Sequence, residues 1–159
     1  MKAYSQLDRA AVQDVRVVDG LESTLIMLGH KLRDGITVVR DYDDSVPTVI
    51  ANSGELNQVW TNLIDNAVDA MDGSGTLTIR TSADDRSLVV EIRDTGHGMT
   101  DEVAAQAFDP FFTTKEVGKG TGLGLDISRR IVVERHGGEI GVESRSGATA
   151  VRVRLPLGA

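Results

Sequence analysis

Polar side chains recur along one face of a predicted helix in the middle of the chain. The segment from Glu55 to Met71 has apolar residues at helical spacing, and Asn62, Asn66 and Asp69 occupy positions i, i+4 and i+7 of a second face. Asparagine is unfavourable inside a helix because its side chain competes for backbone hydrogen bonds. A solvated face would explain one asparagine, but a stacked pair favours binding of a hard cation. Amide oxygens suit Mg²⁺, which takes a few protein oxygens together with waters and phosphates.

Glycines are concentrated further along the chain, where six of the 17 lie between Gly96 and Gly124. The first cluster follows a predicted strand and reads Asp94-Thr-Gly96-His-Gly98. An ionised carboxylate only accepts hydrogen bonds, so Asp94 suits an exocyclic amine such as that of adenine. The adjoining glycines would let the backbone clear a ligand. By itself, this pattern is equally typical of an ordinary turn.

A second glycine-rich loop, from Gly118 to Gly124, leads into a predicted helix. Converging backbone N–H groups at such a loop bind anions, and a chain with a net charge of -7 needs a local device of this kind to hold a polyphosphate. The loop lacks the Gly-Lys-Ser/Thr ending of a P-loop. Its glycine spacing, and the loop that precedes it, also differ from a Rossmann fingerprint.

The segment between the two loops holds all three phenylalanines of the chain, at Phe108, Phe111 and Phe112. We interpret them as a hydrophobic plug that anchors an irregular loop. Residues 113–121 lack large apolar side chains and are predicted to form a mobile lid over the ligand. Lys115 in this lid would reach a terminal phosphate as a point charge.

The remaining segments predict the elements that position these loops. Residues 1–13 are predicted to be helical, and Ser53 is predicted to cap the long helix that ends near Met71. Asp19 and Glu22 are predicted to form a capping box that opens a helix ending near Arg33. The other predicted elements are strands at 15–17, 36–42 and 47–51, a hairpin of 76–81 with 88–93, helices at 100–107 and 122–136, and a hairpin of 139–144 with 149–155. The class is α+β.

The composition limits the cellular location and the binding partners that we expect for this chain. A length of 159 residues fits one domain, and the absence of cysteine excludes disulfides and thiolate metal sites. No stretch approaches the length of a membrane span, and the start has no signal-peptide pattern, so we expect a cytoplasmic protein without direct membrane contact. The acidic balance and the lack of a basic stripe argue against nucleic-acid binding.

Motifs in this order resemble the boxes of sensor histidine kinases. Asn62-Leu-Ile-Asp-Asn66 resembles the N box, and Asp94-Thr-Gly-His-Gly98 resembles the G1 box. The segments 108–115 and 120–125 resemble the F box and the G2 box. The amino-acid sequences of the boxes are most similar to those of nitrogen-regulation-type kinases. The resemblance covers about residues 20–157. It implies the Bergerat ATP-binding fold shared with DNA gyrase, a two-layer α+β sandwich in which a mixed, mainly antiparallel sheet carries about three helices on one face.

The resemblance also implies roles for the matching positions, with ATP and Mg²⁺ as cofactors. Asn66 would bind Mg²⁺, Asn62 and Asp69 would line the phosphate and base sides of the pocket, and Asp94 would accept a hydrogen bond from adenine. The catalytic positions would be Asn62 and Lys115, with Lys115 and the 120–124 backbone holding the triphosphate. The implied nucleotide-contacting set is Asn62, Asn66, Asp69, Asp94, Gly96, Gly98, Met99, Phe111, Thr114, Lys115, Gly120, Thr121, Gly122, Leu123, Gly124 and Leu125.

One position separates phosphotransfer from hydrolysis within the superfamily that the chain resembles. Its ATP-hydrolysing members carry a glutamate four residues before the metal-binding asparagine, where it activates water. This chain has Asn62 at that position, and an amide is not a general base at neutral pH. We therefore expect transfer of the γ-phosphoryl group to a separate nucleophile, which depends mainly on positioning and charge neutralisation.

No histidine of the chain fits the phosphoacceptor pattern of the kinases. The family's phosphoacceptor lies in a helical dimerisation domain and is typically followed by an acidic residue. Here His30 precedes Lys31, His97 lies in the G1-like loop and His136 ends a predicted helix before two glycines. We assign all three histidines to structural or solvent-exposed roles. The expected partner is thus a separate dimerisation and phosphoacceptor domain, with a response regulator as an indirect partner.

The predicted domain organisation follows from these observations. We interpret residues 1–13 as a remnant of the dimerisation-domain helix or a linker, and residues 14–159 as the catalytic domain of a longer kinase. One alternative is a stand-alone serine kinase of the anti-sigma type. Residues 1–13 argue against it, because they resemble the end of a helix that starts further upstream. The other is a non-catalytic nucleotide-sensing module, against which the intact boxes and Lys115 argue.

Overall fold

The computed structural model describes residues 12–32, 35–96, 124–145 and 147–157. Residues 1–11 of the helix predicted at 1–13, the helix predicted at 100–107 and the segment 108–121 lie outside these ranges. The described elements, in chain order, are β1 (Val12–Val15), α1 (Val17–Met27), α2 (Gly29–Leu32), β2 (Ile36–Asp41), β3 (Val49–Asn52), α3 (Ser53–Met71), β4 (Gly75–Ala83), β5 (Ser87–Asp94), α4 (Gly124–Arg129), a π-helical continuation (Arg130–Arg135), β6 (Glu139–Arg145) and β7 (Ala148–Pro156).

A five-stranded sheet with the strand order β2-β4-β5-β7-β6 forms one layer of the fold. Strand β2 runs parallel to β4, and the other neighbouring strands are antiparallel. Both predicted hairpins, β4–β5 and β6–β7, are confirmed. Strands β1 and β3 form a separate antiparallel pair. The predicted α+β class with a mixed, mainly antiparallel sheet is therefore confirmed.

The helices cover one face of the large sheet, and one core cluster joins the two layers. In β7, Val151, Val153 and Leu155 are buried, whereas Arg152 and Arg154 between them are partly exposed. The strand therefore has one buried and one wet face. The helical layer contributes its own apolar residues to the same cluster, so the helix bearing the polar stripe is held against the sheet by burial of apolar surface. Within the described ranges, no helix is long and apolar enough to cross a membrane.

The start of the first helix differs from the prediction. Helix α1 begins at Val17 without a side-chain cap hydrogen bond, so the predicted capping box of Asp19 and Glu22 is wrong. Glu22 instead accepts hydrogen bonds from Arg40 Nε at 2.7 Å and from the Tyr42 hydroxyl at 2.5 Å. The Glu22 carboxylate thus bonds to Arg40 and Tyr42 instead of capping its own helix. Hydrogen bonds to an ionised group are stronger than those between neutral groups.

Further boundaries also differ from the predicted ones. Strand β1 starts at Val12, so residues 12 and 13 belong to a strand rather than to the predicted helix, and the strand predicted at 15–17 ends at Val15. The predicted helix ending near Arg33 is divided, with α1 ending at Met27 and α2 following as one short turn. The cap of α3 is Asn52 rather than Ser53, since Asn52 Oδ1 accepts a hydrogen bond from the Glu55 backbone N–H at 3.0 Å.

Candidate functional site

Helix α3 presents its polar stripe beside its buried apolar face. The residues Leu56, Val59, Trp60, Leu63, Ile64, Ala67, Val68 and Met71 are buried. Asn62 and Asn66 are half-buried, and Asp69 is exposed. Half-burial leaves the two amides at the edge of the core, where they are held by the helix and still accessible from one side. The stripe predicted from the spacing is therefore present.

The middle of the stripe contacts helix α4, which follows the glycine-rich loop. Asn62 Nδ2 donates to Ser128 Oγ at 3.5 Å, at the long limit for a hydrogen bond. Ser128 is fully buried, and Leu125 one turn earlier packs against the core. The structure therefore brings the predicted phosphate end of the stripe next to the helix that begins at Gly124.

The buried carboxylate of Asp94 lies at the carboxyl end of β5. It keeps only 4% of its exposure, and its Oδ1 accepts a hydrogen bond from the Gly96 backbone N–H at 2.8 Å. Thr95 accepts a further backbone bond, from Thr76 N–H at 3.0 Å. These bonds turn the chain immediately after the strand and fix the orientation of the carboxylate, since a buried charge must be hydrogen-bonded.

Gly96 presses the β5 turn against the last turns of α3. A Cβ atom at this position would lie 2.4 Å from the Ala70 carbonyl oxygen and 2.9 Å from the Ala70 Cβ. Backbone atoms cannot yield to such a contact, so only glycine fits. The close approach brings the Asp94 turn alongside Ala70, which follows Asp69 in the helix. The predicted base end of the stripe and the first glycine cluster therefore meet.

The structure thus brings together the described members of the predicted set at one edge of α3. They are Asn62, Asn66 and Asp69 on the helix, Asp94 and Gly96 at the end of β5, and Leu125 on α4. Gly124 is the first residue of α4. The members that lie outside the described residues are Gly98, Met99, Phe111, Thr114, Lys115, Gly120, Thr121, Gly122 and Leu123.

Lys31 is a residue at this edge that the sequence patterns did not identify. Its Nζ lies 3.0 Å from Asp69 Oδ1 and also contacts Asp65 Oδ1. Burial lowers the pKa of Lys31, but hydrogen bonds to Asp65 and Asp69 outweigh it and raise the pKa above its ordinary value. The charge is therefore retained. No sequence spacing connects position 31 with position 69, because the contact exists only after α2 packs beside α3.

His136 has the structural role that its sequence context predicts. Its Nδ1 lies 2.9 Å from the Ile131 carbonyl oxygen, and its Nε2 accepts a hydrogen bond from the Asn52 backbone N–H at 3.2 Å. These contacts require the tautomer with the proton on Nδ1. The ring joins the end of the π-helical segment to the start of α3. His30 is exposed, and His97 lies outside the described residues.

Residues 51–159 match the family described as histidine kinase-, DNA gyrase B- and HSP90-like ATPases. The chain belongs to this family. The match confirms the family predicted from the ordered boxes. The sheet with helices on one face is accordingly the expected ATP-binding fold.

Two named relatives are sensor kinases. The chain is 34% identical over 159 residues to the sensory histidine kinase/phosphatase NtrB of Rhodobacter capsulatus, covering 92% of this chain and 44% of the relative. It is 35% identical over 170 residues to the sensor kinase CckA of Brucella abortus, covering 97% of this chain and 18% of the relative. The chain therefore spans less than half the length of these two relatives.

Solved structures agree with the sequence relatives. The catalytic domain of histidine kinase ThkA in a nucleotide-free form superposes with a TM-score of 0.83 at 28% identity, covering 92% of this chain and 97% of that one. The mycobacterial sensor histidine kinase MprB gives a TM-score of 0.80 at 25% identity, covering 91% of this chain and 97% of that one. The chain thus has the fold of a histidine-kinase catalytic domain over nearly its whole length.

Proposed function

We propose that this chain is the ATP-binding catalytic domain of a two-component sensor histidine kinase. It binds Mg-ATP and positions the γ-phosphoryl group for transfer to a histidine in a separate dimerisation domain. The observation that carries the proposal is the meeting of the α3 stripe with the Asp94 turn, enforced by the close approach of Gly96 to Ala70. It rests also on the likeness to named sensor kinases.

In this proposal, Asp94 recognises the base. Its Oδ1 already accepts a bond from Gly96 N–H, and a carboxylate has acceptor capacity for more than one donor. It is suited to the exocyclic amine of adenine and would be repelled by a carbonyl oxygen at the same position. Because the carboxylate is buried at a strand end, recognition requires little rearrangement of the protein.

The half-buried amides of the stripe fit a magnesium ion. Asn66 is the proposed ligand, since an amide oxygen is a hard donor and Mg²⁺ takes few protein ligands when phosphates supply others. When bound, the ion would neutralise phosphate charge, which an acidic chain of net charge -7 does not do by its overall field. Lys115 and the backbone of 120–124 are proposed to hold the remaining phosphate charge.

Asn62 supports phosphotransfer over hydrolysis. Its side-chain amide donates toward Ser128 Oγ, and an amide takes no proton from water at neutral pH. The domain's contribution is then to bind and orient the nucleotide, and the nucleophile comes from elsewhere. We propose that residues before the catalytic domain lead to that dimerisation domain, that a response regulator receives the phosphoryl group later, and that the domain works in the cytoplasm.

Phosphotransfer is tested by adding this domain and Mg-ATP labelled at the γ-phosphate to the dimerisation domain of the same kinase. We expect acid-labile label on a histidine of the dimerisation domain, lost when magnesium is chelated. Label on a serine would indicate a serine kinase, and nucleotide binding without transfer would indicate a sensing module. Either result would refute the proposal. The companion variant is Asn62→Glu, which introduces a carboxylate that can act as a general base and should raise release of inorganic phosphate.

A further inference from the structure

Lys31 forms a charge cluster with α3 at the edge of the proposed nucleotide site. Helix α2 places the Lys31 ammonium against Asp65 and Asp69, with 3.0 Å between Nζ and Asp69 Oδ1. Asp65 and Asp69 lie one helical turn apart, so their side chains are neighbours on the helix surface. Asp69 is also the last member of the polar stripe. The cluster therefore joins an element outside the predicted motifs to the base end of the site.

Stabilisation of the fold is a weak explanation for this cluster. The side chains of Lys31, Asp65 and Asp69 keep 32% to 35% of their exposure, and ion pairs this exposed add little to folding stability because water screens them. The ammonium of Lys31 has a larger effect on the local charge beside the proposed site than on folding stability. Without the ammonium, two adjacent carboxylates would face a ligand that is itself polyanionic, in a chain that is already acidic. With it, one negative charge remains.

We propose that Lys31 is a positioning residue of the nucleotide site, which holds the Asp69 carboxylate in place and cancels one charge of the Asp65–Asp69 pair so that a nucleoside polyphosphate can bind. The inference rests on the proposed function, because it assumes that the site takes ATP. It differs from the roles that the resemblance implies, since Lys31 lies outside every box. The expected signature is electrostatic: the effect of Lys31 grows with the number of phosphates on the ligand.

The test compares Lys31→Met with the wild-type domain in calorimetric titrations with AMP, ADP and ATP in the presence of magnesium. We expect about tenfold weaker ATP binding, a smaller loss for ADP and little change for AMP. The matched control is Arg80→Met. Arg80 pairs with Asp41 at 2.8 Å and is exposed on β4, so this variant removes the same charge and the same kind of ion pair away from the stripe. It should bind all three nucleotides like the wild type.

A second variant separates charge cancellation from mechanical support. Lys31→Met combined with Asp65→Asn keeps one carboxylate of the pair and lacks both Lys31 ion pairs. We expect it to recover the part of the ATP affinity that charge repulsion had cost, and the remaining loss measures the support that Lys31 gives to Asp69. Equal losses for AMP and ATP, or no recovery in the double variant, would overturn the inference. So would a Lys31→Met variant that binds as the Arg80→Met control does. If the wild-type domain binds none of the nucleotides, the proposed function fails first, and the inference fails with it.

Discussion

At the scale of single residues, Asp94 is the group on which nucleotide recognition is expected to depend most. Asp94→Ala removes an acceptor from a buried position and should weaken ATP binding by about 10- to 100-fold, the range for losing a hydrogen bond to a charged group. Asp84→Ala is the matched control. Asp84 Oδ1 also accepts backbone bonds, from Arg86 N–H and Ser87 N–H at 2.8 Å, but at the opposite end of β5. Wild-type affinity in Asp94→Ala, measured by calorimetry, would contradict the adenine role.

Among the described residues, Tyr42 is the one whose pKa the structure changes most clearly. Burial raises the pKa of Tyr42 above its ordinary value of 10.0, and the hydrogen bond that the phenol donates to Glu22 raises it further. The neutral phenol is the favoured form, so its stabilising contribution is present below pH 10 and is lost as the pH rises through the folded-state pKa.

The measurement is the absorbance of the phenolate in a Tyr4→Phe variant, which leaves Tyr42 as the single tyrosine of the two in the chain. We expect a midpoint above 10 in the folded protein. Glu22→Gln should lower this midpoint because it removes the carboxylate that favours the protonated phenol. A midpoint at or below the ordinary value, with the protein still folded by circular dichroism, would show that Tyr42 is solvated and not bound to Glu22.

At the scale of elements, the start of α3 shows how a cap is selected between neighbouring candidates. Asn52→Ala removes the Oδ1 acceptor of the Glu55 N–H and should lower the free energy of unfolding by about 1 kcal/mol. Ser53→Ala is the control, since the Ser53 hydroxyl accepts a hydrogen bond from the exposed side chain of Gln13. We expect a change within about 0.5 kcal/mol for this surface substitution. Urea denaturation of the two variants measures both free energies of unfolding. A larger loss of stability in Ser53→Ala than in Asn52→Ala would show that Ser53 is the cap, as the sequence predicted.

The elements that the sequence predicted correctly are those whose signal is local. The alternation in β7 and the turn residues between β4 and β5 depend on neighbours in the chain, so the hairpins and the stripe on α3 were predictable. The capping box at Asp19 failed because Glu22 is used by Arg40 and Tyr42, which are distant in sequence. Local patterns cannot reveal such competition.

The candidate site was predictable to the same extent and for the same reason. The asparagine spacing and the Asp94 turn are periodic or contiguous features, and the structure places them together. Lys31 and Ser128 join the site only through packing between elements. The π-helical form of 130–135 also had no sequence signal, since a change of hydrogen-bond register in a helix is imposed by what packs around it.

At the scale of the whole molecule, the described elements share one core. Residues of β1, β3, the helices and the large sheet belong to a single cluster, in which Trp60 is fully buried. A domain of this size with one core is expected to unfold in one cooperative transition. Trp60 is the only tryptophan of the chain, so its fluorescence reports the α3 environment, whereas circular dichroism reports all elements together.

We therefore predict that the two signals give the same urea midpoint, and that Mg-ATP raises both by the same amount. Ligand at about 100 times its dissociation constant should add about 2.7 kcal/mol to the free energy of unfolding, because only the folded state has the site. In Asp94→Ala the two midpoints should still coincide, but the same nucleotide concentration should add only about 0.4 to 1.4 kcal/mol, because binding is 10- to 100-fold weaker. Separate midpoints would mean that the surroundings of Trp60 on α3 unfold apart from the rest of the described elements, and the position of the stripe against the Asp94 turn would then depend on more than one folding unit.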